Sequence, residues 1–120
     1  MANIVVINGD KRKFTLNSDL KLYALIDAGF VKTAKGNFNY ERPLYNDSPY
    51  NAPTKLKITI NKNLEHWTMV VTDRSGLQKV NIFKNKQLAP TVELLDYILK
   101  DLEERKILLE VKDWLNNGWQ

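Results

Sequence analysis

The sequence predicts an α+β domain: an antiparallel sheet of about five to six strands with two helices on one face. Three observations predict it. Alternating apolar residues recur in short runs through the middle of the chain. Tight-turn residues separate those runs. Two segments with helical spacing flank them, one early and one late. All 120 residues fit one domain, and about two thirds of the unfolded surface is buried at this size. No cysteine staples are available to help, because the chain has none.

The first element is a β-branched run, Ile4 to Ile7. Asn8-Gly9 follows and favours a turn, since both residues tolerate positive φ. Lys13 to Leu16 pairs back as a second strand. Asn17 and Ser18 are candidate N-caps for a helix over about residues 18–28, with Leu22, Leu25 and Ile26 on its apolar side. Gly29 ends it, with Phe30 placed for the apolar contact of a C-cap. Phe30–Thr33 and Phe38–Arg42 form a hairpin around Lys35-Gly36-Asn37.

Residues 44–53 read as a loop, with two prolines and no periodicity. Lys55–Asn61, the run from Trp67 to Val71, and Gln78–Phe83 then make an antiparallel meander. Asp73-Arg74-Ser75-Gly76 turns the chain between the last two. The long helix starts near Pro90 and runs to about Lys106, burying Val92, Leu95, Ile98, Leu99 and Leu102. The tail, 107–120, is apolar for a terminus and ends in Trp114, Leu115 and Trp119, with a last helical turn expected near 113–117. The chain shows no internal repeat, linker or low-complexity stretch.

Alternation sorts the strand residues by face. Phe38, Tyr40, Leu56, Ile58, Ile60, Trp67, Met69, Val71, Val80 and Ile82 belong under the helices. Asn39, Glu41, Lys55, Lys57, Thr59, Thr68, Val70, Thr72, Lys79 and Asn81 belong on the open face. That face offers lysines and hydroxyls but no aromatic ring. Phosphate contact is provided for; base stacking is not.

Composition excludes several chemistries. Without cysteine there is no thiol nucleophile, thiolate metal site or persulfide carrier. One histidine, His66, rules out a multi-His metal site. His66 adjoins Glu65, which points to the other face of an extended chain, so no oriented base is in place. Ser18, Ser48 and Ser75 read as capping or turn residues, and no nucleophile elbow or glycine-rich phosphate loop is present. Glu103 and Glu104 lie on a helix surface, not across a cleft. The expectation is therefore a non-enzymatic protein that needs no cofactor and no metal.

Charge points to binding instead. The net charge is +4. Residues 1–84 carry 13 basic and 7 acidic groups, against 5 and 7 in residues 85–120. A basic body suits an anionic partner. The candidate partner-binding residues are Arg42, Tyr45, Asp47 and Tyr50 around the 44–53 loop, together with Trp114 and Trp119 in the tail. An alternative is nucleic acid, such as tRNA, held by Lys55, Lys57 and Lys79. A third is a small metabolite between sheet and long helix, lined by Tyr40, Trp67 and Met69. No apolar run spans a membrane and no leader pattern opens the chain, so the expected location is cytoplasmic, as a monomer or homodimer.

Certain blocks resemble a known family: Gly29-Phe30, Gly36-Asn37-Phe38, Tyr40-Glu41-Arg42-Pro43-Leu44, Leu56-Lys57-Ile58-Thr59-Ile60, and Gly76-Leu77 with Val80-Asn81-Ile82. They are similar to small uncharacterised proteins of lactic-acid bacteria, a domain of unknown function linked to amino-acid metabolism. The resemblance covers about residues 3–110. It implies a TATA-binding-protein-like order of strand, helix, antiparallel sheet and helix. It also implies an accessory role in sulfur transfer, with a cysteine desulfurase as protein partner. It supplies no catalytic residues. The tail beyond about Val111 lies outside it.

Overall fold

The computed structural model describes residues 2–112. Trp114, Trp119 and the helical turn expected near 113–117 lie outside the described residues. The order is β1 (Lys13–Leu16), α1 (Leu22–Ala28), β2 (Val31–Lys32), β3 (Phe38–Leu44), β4 (Thr54–Ile60), β5 (Trp67–Asp73), α2 (Ala89–Glu104) and β6 (Leu108–Val111). The fold is α+β. Among the described residues, six strands divide into two antiparallel sheets, β2-β3-β4-β5 and β1-β6.

The larger sheet follows the alternation of its sequence. Register runs from Phe38↔Ile60 to Leu44↔Thr54, and from Ile60↔Trp67 to Thr54↔Asp73. Phe38, Tyr40, Leu56, Ile58, Ile60, Trp67, Met69 and Val71 are buried, in one core with Leu25 of α1 and Leu95, Ile98, Leu99 and Leu102 of α2. Tyr40 tilts against Phe30, ring centroids 4.8 Å apart. Tyr40, Trp67 and Met69 keep only 6%, 2% and 1% of their surface exposed. They fill the space between sheet and helix, so the metabolite site expected among them is packed core with no opening through these side chains.

Helix α2 starts where expected, at Ala89 with Pro90 in its first turn, whereas α1 starts later than expected. Asn17 does not cap α1; its side chain accepts from the Asp19 N–H at 2.8 Å, making a turn that delays the helix to Leu22. Gly29 closes α1 at φ 107°, a left-handed position that glycine occupies without strain, with Phe30 N–H reaching Leu25 O at 2.9 Å. Helix α2 has no cap from Leu88, the residue before it. Asn46, far away in the 45–53 loop, supplies the acceptor instead. Its Oδ1 accepts from the backbone N–H of Thr91 at 3.2 Å and from the Thr91 hydroxyl.

The ends of the chain differ most. Only Val5 of the expected first strand pairs, as a single bridge with Phe14. Segment 78–83 is likewise no regular strand; Thr72 and Lys79 make one bridge, and Val80 N–H donates to Val71 O at 3.0 Å. The reason is competition for the edge of β5. Asn8 inserts its side-chain amide there, accepting from Val71 N–H at 3.3 Å and donating to Val71 O and Val80 O. Asn3 does the same at Trp67, with two bonds of 3.0 and 3.1 Å. The apolar tail begins as β6, which pairs with β1 from Lys13↔Val111 to Leu16↔Leu108. Lys106 at φ 61° turns the chain out of α2 and into that strand.

Candidate functional site

One end of the larger sheet brings three strand ends, a loop and a turn together. There β3 finishes at Leu44, β4 begins at Thr54 and β5 finishes at Asp73, side by side in register. The 45–53 loop joins the first pair and the turn at Asp73–Gly76 follows the third strand. The loop is held at three points. Asn46 is bound to the start of α2, and its Nδ2 donates to Gln87 O at 3.1 Å. Ser48 Oγ accepts from Tyr50 N–H at 3.3 Å, capping a short 3-10 turn over Pro49–Asn51. Arg74 Nε donates to Ala52 O at 3.1 Å, tying the turn to the loop.

Between loop, sheet and turn lies an open hollow of about 430 Å³ lined by Glu41, Arg42, Pro43, Tyr50, Ala52, Thr54, Lys55 and Arg74. Three basic residues and one acidic residue border it. Lys55 Nζ bonds Glu41 Oε1 at 2.7 Å, and that hydrogen bond holds the Glu41 carboxyl below its usual range, aided by the charges of Lys55 and Lys57. Glu41 is thereby neutralised locally. The Arg42 side chain makes no hydrogen bond or ion pair with a described residue, and the Arg74 side chain commits only its Nε. Both guanidinium groups thus keep N–H groups without a partner among the described residues. Tyr50 presents its ring at the rim, 96% exposed.

The open face continues the positive charge. Lys55 and Lys57 both reach toward Gly76, their Nζ atoms 3.3 and 3.4 Å from where a Cβ there would sit. Lys79 is exposed beyond Thr72. Thr72 itself, expected on the open face, is only 3% exposed, with the Lys79 segment paired beside it.

The expected site residues thus fall into groups. Arg42, Tyr50 and Lys55 share the hollow, although the sequence pattern assigns them to two different sites. Lys57 and Lys79 flank it on the sheet. Tyr45 is half-buried and Asp47 exposed, and neither lines the hollow. Arg74 reads in the sequence only as a turn residue; register alone, Thr54 opposite Asp73, brings it to the loop. His66 is exposed at the other end of β5.

Comparison with known proteins decides the family. The model of DUF1831, whose description reads "Putative amino acid metabolism", matches residues 1–109. The chain belongs to the DUF1831 family. A crystal structure of a DUF1831 protein from Lactobacillus plantarum, solved at 1.20 Å, is similar over 92% of this chain and 96% of that one, with 42% identity and a TM-score of 0.84. No curated protein matches the chain. Both the hollow and the two asparagine plugs of the β5 edge lie within the part matched by the DUF1831 model. Among the described residues, no helix is long and apolar enough to cross a membrane.

Proposed function

We propose that this DUF1831 protein is a non-catalytic accessory protein of amino-acid metabolism, acting in the cytoplasm by docking a protein partner on the loop end of its larger sheet. One observation carries the reading: Arg42, Tyr50, Lys55 and Arg74, from four different segments, line a single hollow. Arginine and tyrosine are enriched among the residues that anchor protein interfaces, and here they stand on a strand end, a turn and the pinned loop between them. The family description supports the metabolic setting. The family resemblance, which implies an accessory role in sulfur transfer, makes a cysteine desulfurase the partner class to look for; a chain without cysteine would scaffold or regulate, not carry, the sulfur.

The lysines favour a second reading. Lys55 and Lys57 converge near Gly76 with Lys79 beyond, a row that would suit the backbone of RNA. A pull-down of the tagged protein from its native lysate, with and without nuclease and at low and high salt, separates the two. A protein recovered after nuclease and salt supports the accessory role. RNA whose recovery falls by about one log unit per log of salt for each phosphate contact supports the second reading instead.

A further inference from the structure

We propose that the partner docks by adding an extended, acidic segment to the free edge of β3, from Glu41 to Leu44. The inference rests on the docking role proposed above and supplies its mode and the partner's chemistry.

The neighbours of β3 fix which of its main-chain groups face outward. Thr33 N–H donates to Asn37 O at 2.7 Å, so Asn37 directs its main chain toward the β2 side. The β3–β4 register is unbroken from Phe38 to Leu44, so main-chain direction alternates without a bulge. Asn39, Glu41 and Pro43 therefore point away from β4. Asn39 is met by Val31 of β2. Next to it Phe30 packs on the Tyr40 ring, and the chain then turns at Gly29 into α1. Glu41 N–H, Glu41 O and Pro43 O are left without a partner among the described residues. These groups hold a short added strand antiparallel to β3 and in line with β2. Pro43 has no N–H to add, so the backbone alone binds weakly and side chains select the partner.

Arg42 makes that selection. It shares a face of β3 with Tyr40 and Leu44, both buried, yet is itself exposed. Its side chain makes no hydrogen bond or ion pair with a described residue. A carboxylate on the added strand directly opposite Arg42 completes a cross-strand ion pair. A second copy of this chain fits the edge poorly. Pairing centred on Glu41 runs into β2, which already holds Asn39. Pairing centred on Arg42 sets two arginines opposite each other. Pairing centred on Pro43 lacks the N–H groups that such a pair exchanges.

The test is NMR of the full chain with two acetylated, amidated heptapeptides: Thr-Val-Thr-Asp-Thr-Val-Thr, and the same sequence with lysine in place of aspartate. In the free protein the Glu41 amide exchanges with solvent faster than those of Tyr40 and Arg42, which face β4. The aspartate peptide shifts the Glu41 amide signal and slows its exchange. The lysine peptide binds about tenfold more weakly. Arg42→Glu reverses that preference, with a thermal melt confirming that the variant is folded. The proposal is overturned if the Glu41 amide is already protected in the free protein, or if the aspartate peptide at millimolar concentration leaves it unmoved. It is overturned equally if Arg42→Glu keeps the wild-type preference. A protein partner still captured from lysate in any of these events would leave the docking role standing and remove only this mode.

Discussion

The larger sheet treats its two sides in opposite ways. The outer side of β5 is sealed: Asn3 and Asn8 lend it their side-chain amides at Trp67 and Val71, and Val80 completes the pairing. On the other side, β2 pairs with β3 only at Asn39 and Phe38, so among the described residues no strand pairs with β3 there from Tyr40 to Leu44. A proline, Pro43, blunts that stretch, having no N–H to offer a further strand. The sealed edge and the proposed recognition surface thus lie on opposite sides of one sheet. The asparagines on the sealed side are committed to backbone. Arg42, beside the open side, is uncommitted.

Substitutions on the sealed side should therefore cost stability. The largest effect is expected at Gly9, which sits at φ 89° where a Cβ would run into the Asn81 side chain. Asn81 Oδ1 accepts from Phe83 N–H at 2.9 Å, so displacing it loses a further bond. Gly9→Ala should destabilise by about 2–3 kcal/mol, measured by urea unfolding. Asn8→Ala strands the Val71 N–H in a fully buried position and should cost about 1–3 kcal/mol in the same assay. A wild-type midpoint for either variant would break the account of the sealed edge.

Arg12 comes next. Its guanidinium bonds Asp10 at 2.7 Å and Asp96 of α2 at 2.8 Å, and lies 5.7 Å from the centroid of the Phe14 ring. It fastens the first turn to the long helix. Arg12→Ala should cost about 1–2 kcal/mol, since Asp10 is left nearly buried without its cation.

The open side should tolerate change. Lys55→Ala should alter stability by less than about 0.5 kcal/mol, because its pair with Glu41 is exposed and screened. The pH dependence has a definite sign. The folded carboxyl of Glu41 titrates below its unfolded value, so the pair's contribution is complete above the usual carboxylate range. It is lost as pH falls through the folded value. In Lys55→Ala, NMR titration should show the Glu41 midpoint moving up.

The sheet was legible in the sequence because Leu56, Ile58 and Ile60 alternate without interruption and Gly36 and Gly76 punctuate the turns. Gly29 likewise marked the end of α1. The end of α2 carried no such mark: Lys106, not glycine, takes the left-handed position, so β6 looked like a continuing apolar tail. The segment 78–83 alternates as a strand should, yet Asn8 competes for its partner groups from 63 residues before Val71. The site was half legible. Arg42, Tyr50 and Lys55 stood out by type, but their convergence, and Arg74 beside them, depend on long-range register.

The central claim is that recognition resides in the open, basic end of the sheet. The most direct test is a lysate pull-down comparing wild type, the double variant Arg42→Glu/Arg74→Glu, and Lys100→Glu on the exposed side of α2, all after nuclease treatment and with equal melting temperatures confirmed. The protein partner should be retained by wild type and Lys100→Glu and lost by the double variant. A double variant that retains the partner as well as wild type does would contradict the claim.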